Sequence, residues 1–211
     1  MCRAFFVAGD AANYTAAKLA KLSYELYNRD GYFFACNTGK HLRTLDFTEY
    51  YKMLLKESYT AVLCHLRSAS RGEVNEKNVH GWKFKFLGDY WYCVHHGTIE
   101  GFGEGELCDS YYFFSSLEGS SSIEEIANRI RRMYRRGSGA FFAVNLLFTQ
   151  LLIIIIYHPV YHLKRQENEI IASKSDILRD FSGQLHIYSD NSILLFTVPE
   201  INLEEKIALE L

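Results

Sequence analysis

Residues Ala140–Tyr157 read AFFAVNLLFTQLLIIIIY, and Arg-Arg-Met-Tyr-Arg-Arg at 131–136 stands just before them. How this run is read decides the fold class. It approaches the length of a membrane helix, and the basic flank suits a cytoplasmic side. Asn145, Thr149 and Gln150 interrupt it, however, and its Ile, Phe and Val content favours strands. Two buried strands joined by a turn between Asn145 and Gln150 fit the same pattern. The segment is therefore read as a buried hairpin, and no membrane is expected as a partner.

Just before this hairpin, the pattern predicts a helix opening at Ser121, with Glu124 as its capping-box partner. Its buried face would be Ile123, Ile126, Ile130 and Met133. Arg135 and Arg136 would sit at the negative end of its dipole, and Gly137 would end it. After the hairpin come a turn at His158-Pro159 and a strand near Glu169–Ala172. A second hairpin, Leu185–Val198, is expected to turn at Asp190-Asn191, and a charged helical tail to close the chain. Toward the start, Arg3–Ala8 reads as a strand. A helix N-capped by Asn13 follows, with Ala16, Leu19, Leu22 and Leu26 on one face. Asp30-Gly31 makes a turn and Tyr32–Cys36 a short strand. A helix opens at Asp46 with Glu49 behind it and the stripe Phe47, Tyr50, Tyr51, Leu54 and Leu55. Thr60–Leu66 and Tyr90–His95 read as strands. Many strands and three helices indicate an α/β or α+β layered domain.

At 211 residues and 48% hydrophobic content, one domain spanning 1–211 is the default. A formal net charge of −2 gives no overall electrostatic case for nucleic acid. The five cysteines are Cys2, Cys36, Cys64, Cys93 and Cys108. An odd number without scaffold spacing fits free thiols in a reducing, cytoplasmic setting. The apolar run Ala4–Ala8 is too short for a signal peptide, and Asp10 ends it.

Cys2 is the first candidate for chemistry. Methionine aminopeptidases trim Met1 when the next side chain is small, which would leave Cys2 with a free α-amine. That amine, with an ordinary pKa of about 7.7–8.0, can serve as base for its own thiol. Position alone also fits an incidental, inert cysteine.

A series of short matches runs downstream in one order. Met1-Cys2-Arg3-Ala4-Phe5 is followed by Arg29-Asp30-Gly31 and by His65-Leu66-Arg67-Ser68-Ala69-Ser70-Arg71-Gly72. Then come Asn78-Val79-His80-Gly81, Val94-His95-His96-Gly97-Thr98-Ile99, Cys108-Asp109-Ser110, Gly139-Ala140-Phe141-Phe142-Ala143 and Ile171-Ala172-Ser173-Lys174. Together they resemble the glutaminase domain of the class II glutamine amidotransferases, as a divergent stand-alone member. The family motifs are "RG-x-DG", "H-T-R-x-A-T-x-G", "N-x-H-P", "x-H-N-G-x-I", "x-D-[ST]-E", "G-A-[FY]-A" and "[AI]-A-S-E".

The resemblance implies an α+β Ntn-hydrolase fold, a four-layer αββα sandwich of two antiparallel sheets between helical layers. It implies that Cys2 attacks the side-chain amide of glutamine. Arg67 would clamp the substrate α-carboxylate, as a guanidinium fork fits bidentately. Asp109 would accept from the α-ammonium, with Ser68 and His80 also at the substrate. The N–H of Gly97 and the side chain of His96 would form the oxyanion hole. No cofactor and no metal are expected. With no room for a synthase domain of its own, the chain would pass ammonia to a separate subunit or release it.

The chain departs from the pattern at several places. His96 stands where the family carries Asn, so the oxyanion donor is a ring nitrogen whose tautomer matters. Arg3 replaces the Gly after the nucleophile, Gly81 replaces a proline, and Gly101 and Tyr111 replace a second Asn and an acidic residue. A catalytically silent Ntn-fold binding module, or an Ntn amidohydrolase acting on another amide, are the alternatives. Taken singly, Arg67 reads as a surface arginine, Asp109 as a solvated loop residue, Gly97 as a turn glycine and His95 as a core histidine. Cys64-His65 and Cys93-x-His95-His96 raise zinc, but the spacing fits no common zinc motif and neighbouring strand residues face opposite ways.

Overall fold

The computed structural model describes residues 1–70, 72–102 and 106–211, so Arg71 of the quoted motif lies outside the described residues. The elements are β1 (Arg3–Gly9), α1 (Ala12–Glu25), β2 (Tyr32–Cys36), β3 (His41–Thr44), α2 (Phe47–Leu55), β4 (Ala61–Leu66), β5 (Trp82–Phe86) and β6 (Asp89–Glu100). They continue as α3 (Asp109–Ser116), α4 (Ile123–Met133), β7 (Arg136–Asn145), β8 (Gln150–Ile156), β9 (Val160–Lys164), β10 (Asn168–Ala172), β11 (Gln184–Tyr188), β12 (Ser192–Thr197) and β13 (Asn202–Ala208).

One sheet has the order β11-β9-β10-β1-β4-β2-β3 and the other β13-β12-β8-β7-β6-β5. The described pairings are antiparallel. Alternation along the strands builds the layers. From β1, Ala4, Phe6 and Ala8 face the gap between the sheets, while Phe5 and Val7 face the α1/α2 layer. From β8, Leu151, Ile153 and Ile155 enter the same gap, while Leu152, Ile154 and Ile156 pack under α3 and α4. Burying each such Leu or Ile side chain stabilises the fold by roughly 1.5–3 kcal/mol. These strands bury both faces, which is why the segment reads as continuously apolar. The αββα sandwich is thus the observed α+β architecture. The 140–157 run is the β7–β8 hairpin, and among the described residues no helix is long and apolar enough to cross a membrane.

Helix α2 opens at Asp46, whose side chain accepts from Thr48 N–H at 2.7 Å and Glu49 N–H at 3.3 Å. Glu49 does not return to the Asp46 amide. It accepts from Thr44 Oγ1 at 2.7 Å, and Thr44 Oγ1 accepts from Asp46 N–H at 3.1 Å. For α4 the cap is Ser122, which accepts from Glu125 N–H, one residue later than expected. That helix ends at Met133, so Arg135 lies outside it and Arg136 begins β7; Arg131 and Arg132 supply the cations of its last turn.

Other expectations need correction. Asn13 is not the cap of α1: Ala11 is, in a left-handed conformation, and Asn13 is buried within the first turn. Leu185–Val198 is not a hairpin. Its two strands join different sheets, β11 pairing with β9 and β12 with β8 and β13. The tail is the edge strand β13 rather than a helix. Its exposed Glu204, Glu205 and Lys206 suit an edge that must repel further strands. A fourth helix, α3, begins at Asp109, where a loop was read. Cys64-His65 on β4 and Cys93 with His95-His96 on β6 lie in different sheets.

Candidate active site

β1 occupies the middle of its sheet, between β10 and β4, and Cys2 stands at its entry. β6 crosses from the facing sheet. The two sheets are tied where His65 Nε2 meets the His95 carbonyl at 3.0 Å. That tie brings His96-Gly97 toward Cys2.

The Cys2 thiol lies between two hollows. One, of about 150 Å³, is lined by Cys2, Ser70, His96, Gly97, Ser138 and His158 among others, and Met1 borders it too. The other, of about 20 Å³, is lined by Cys2 with Arg67, His80, Cys108, Asp109 and Ser110 among others. A larger hollow of about 520 Å³ has Gly72, Glu73, Asn75, Lys77 and Glu106 as its described lining, which includes no thiol or imidazole. Cys2 Sγ accepts from Ser68 N–H at 3.4 Å and faces the Ser68 carbonyl at 3.5 Å. Burial pushes the thiol up, opposed by that Ser68 N–H and then by the N-terminal ammonium and Arg67. The Met1 ammonium donates to Ser68 Oγ at 3.1 Å. The nitrogen of Cys2 is therefore an amide here, without basicity.

Arg67 directly follows β4 and is buried, with Nη1 on the Glu73 carbonyl at 2.9 Å and Nη2 on the Gly72 carbonyl at 3.2 Å. It is not a surface arginine. The Asp30-Gly31 turn pins its backbone, through Arg67 N–H to Gly31 O at 2.8 Å and Asp30 N–H to Arg67 O at 3.0 Å. Asp109 is not free in a loop. Its Oδ2 accepts from Ile99 N–H at 2.9 Å and its Oδ1 from Ser110 N–H at 2.9 Å. Together with Cys2 these two charged groups border one hollow.

His96 and His95 face opposite ways, as alternation requires. His95 stacks on Phe141 with centroids 4.0 Å apart and meets Ser110 Oγ through Nδ1 at 2.8 Å. His96 Nδ1 lies 2.8 Å from Ser173 Oγ, and that hydroxyl oxygen accepts from Ala4 N–H at 3.0 Å. His96 Nε2 is buried without a partner. Burial, then His158 whose ring lies 4.5 Å away, keeps the His96 ring neutral far below the ordinary imidazole range. His80 lies behind the site. Its Nδ1 accepts from His95 N–H at 3.1 Å, and its ring stacks on His65 at 4.0 Å.

Two glycines are required where they stand. Gly97 has φ +140°, and a Cβ there would sit 2.1 Å from the Ser138 carbonyl. Gly97 is not a turn before a new strand, because β6 continues through it to Glu100. Gly81 has φ +98°, and a Cβ would overlap the Phe33 ring. Proline, fixed near −65°, does not fit that conformation.

The structure brings together Cys2, Arg67, Ser68, His96, Gly97 and Asp109, and places His80 at the inner wall. Sequence reasoning missed Ser138 and His158, which line the 150 Å³ hollow beside Cys2, and Asn28 behind Met1. Ser173 stood in a quoted motif without a role. His158 had no signal beyond a turn-like His-Pro pair.

The buried histidines make acid stability testable. Burial pushes His65 down to about 3 and His95 down to about 4. Unfolded, both return to about 6.5. Below that value the unfolded chain binds protons that the folded chain refuses, so stability falls as pH drops from about 6.5 toward 4. At about pH 5 each histidine should remove about 2 kcal/mol. Urea melts at neutral and mildly acidic pH check this; equal midpoints would contradict it.

Residues 51–113 match the family model described as glutamine amidotransferases class-II. That segment holds Arg67, His96, Gly97 and Asp109. No curated protein sequence matches the chain. Among solved structures, the glutamine phosphoribosylpyrophosphate amidotransferase from B. subtilis aligns with TM-score 0.73 at 14% identity, over 100% of this chain and 50% of its own. The allosteric regulatory enzyme of purine biosynthesis aligns with TM-score 0.73 at 12% identity, over 100% and 49%. The chain thus spans about half the length of those two proteins. A predicted glutamine amidotransferase from Pseudomonas aeruginosa PA01 aligns with TM-score 0.55 at 12% identity, over 95% of each chain. At these identities the structures speak for the fold alone. Residues 51–113 are thus similar to the class II glutamine amidotransferases, and the chain shares the fold of the solved amidotransferases it aligns with.

Proposed function

We propose that the chain hydrolyses the side-chain amide of glutamine through Cys2, once removal of Met1 has made it the N-terminal residue. One observation carries this reading. The Cys2 thiol borders both hollows, with Arg67 and Asp109 on one side and His96 and Gly97 on the other.

The α-amine takes the thiol proton, and Sγ adds to the amide carbon. Gly97 N–H and His96 Nε2–H hold the resulting oxyanion. The hydroxyl of Ser173 donates to His96 Nδ1, which leaves the ring proton on Nε2. The carbon–nitrogen bond then breaks, and the α-ammonium gives its proton to the leaving ammonia. Water attacks the γ-glutamyl thioester, releasing glutamate and restoring the thiol. Arg67 meets the substrate α-carboxylate and Asp109 its α-ammonium. Ser68 holds the thiol through its N–H, and His80 keeps the His95 backbone in place. Ammonia passes to a separate synthase subunit or is released, in the cytoplasm.

A second reading rests on a specific observation. Met1 borders the 150 Å³ hollow and its ammonium is seated on Ser68. If Met1 stays, or if His96 does not donate, the chain is a silent binding module.

Ammonia and glutamate release by Met1-free protein separates the two. His96→Ala should lower turnover by about 10²–10³, the usual effect of losing one oxyanion donor. His96→Asn should keep most of it. A silent wild type revived by His96→Asn would establish the silent module instead.

A further inference from the structure

Asn28 belongs to none of the motifs, yet it touches the processing site. Its side chain is fully buried. Nδ2 donates to the Met1 carbonyl at 2.6 Å, while Oδ1 is buried without a partner. Such an orphan acceptor is costly, so its place needs a reason. Arg3 Nη1 donates to the same Met1 carbonyl at 2.7 Å and to the Cys2 carbonyl at 3.1 Å. The other arms of Arg3 are held by Asp176, with Nε on Oδ1 at 3.0 Å.

Hydrolysis of the Met1–Cys2 peptide bond adds water and releases methionine with its new carboxylate. The carbonyl that Asn28 and Arg3 share leaves with it. An α-amine appears one bond from where that carbonyl stood. An asparagine amide can turn half a revolution within almost the same volume, exchanging a donor for an acceptor.

We propose that Asn28 is the positioning residue for the processed N-terminus: after Met1 leaves, its Oδ1 accepts from the α-amine of Cys2 and holds it against the thiol. This rests on the N-terminal-nucleophile reading given above. Asn28 does not touch the substrate and acts only through the amine. The charged groups of the site are Arg3 from β1, Arg67 after β4, Asp109 opening α3, and Lys174 and Asp176 after β10, with Asp176 bound to Arg3. The other titratable neighbours of the site are His80, Cys108, His96 and His158. The neutral form of the amine is the one that can take the thiol proton.

The test is the rate at which iodoacetamide alkylates Cys2 across the neutral pH range, in protein shown by intact mass to lack Met1. Glutamine takes no part, so the outcome is independent of whether the protein is a glutaminase. Asn28→Ala should slow alkylation near neutrality about tenfold, the effect of about one pKa unit at the thiol when the amine is no longer held beside it. Asn28→Asp keeps an acceptor, so it should stay near the parent rate, and its carboxylate should move the amine-dependent part of the curve to higher pH. In protein that retains Met1, neither substitution should change the rate. Met1-free Asn28→Ala that alkylates like the parent at every pH would overturn the proposal. Should that variant fail to fold, a Met1-free Asn28→Asp profile superimposed on the parent's would overturn it.

Discussion

Cys2→Ser should give a folded protein that no longer releases ammonia from glutamine. The thiol makes only weak contacts, at 3.4 and 3.5 Å to the Ser68 backbone, so little packing is lost. Serine is also small enough for Met1 to be removed. What changes is the nucleophile: a hydroxyl is far less acidic than a thiol, and the α-amine cannot ionise it to a useful extent. Loss of a covalent nucleophile in other hydrolases costs about 10⁶ in turnover, and a drop of at least about 10⁴ is expected here. The measurement is steady-state glutamate release beside a thermal melt. An unchanged melting temperature with retained activity would exclude Cys2 as the nucleophile.

Arg67→Ala should act on both binding and stability. In the folded protein the guanidinium serves the Gly72 and Glu73 carbonyls, and the side chain is only 2% exposed. Truncation leaves those carbonyls without these donors and, on the proposed function, the glutamine carboxylate without its counter-ion. Truncating one partner of a buried charged pair costs about 2–5 kcal/mol, so kcat/KM should fall by about 10²–10³, mostly through KM. Arg67→Lys keeps the charge but not the planar fork, so it should fall between wild type and Arg67→Ala. Kinetics that move kcat while leaving KM alone would place Arg67 outside the substrate site.

Much of this was legible in the residues. The β7–β8 hairpin was readable because its apolar run is broken at Asn145, Thr149 and Gln150. Those side chains close the turn, with Asn145 Oδ1 accepting from Thr149 N–H at 2.9 Å and Gln150 N–H at 3.0 Å. Cys2, Arg67, Gly97 and Asp109 were readable as an ordered set, and they do converge. What failed was whatever depends on partners distant in sequence. A period-two pattern shows which residues share a face, but not which sheet a strand joins, so β11 and β12 looked like a hairpin. The charges of β13 suggest a helix until the exposed edge of a sheet is known to receive them. His96 was visible as a departure from the family, but its neighbours Ser173 and His158 are brought to it only by the stacking of the two sheets. Asn28 was invisible for the same reason, since its significance lies in the Met1 carbonyl.

The central claim is that Cys2 works as a free N-terminal nucleophile. Intact mass of the protein, before and after exposure to the glutamine analogue diazo-oxo-norleucine, tests it most directly. The expected result is a chain without Met1 that gains a single adduct, carried by the peptide that begins at Cys2. A chain that keeps Met1 quantitatively and gains no adduct would contradict it.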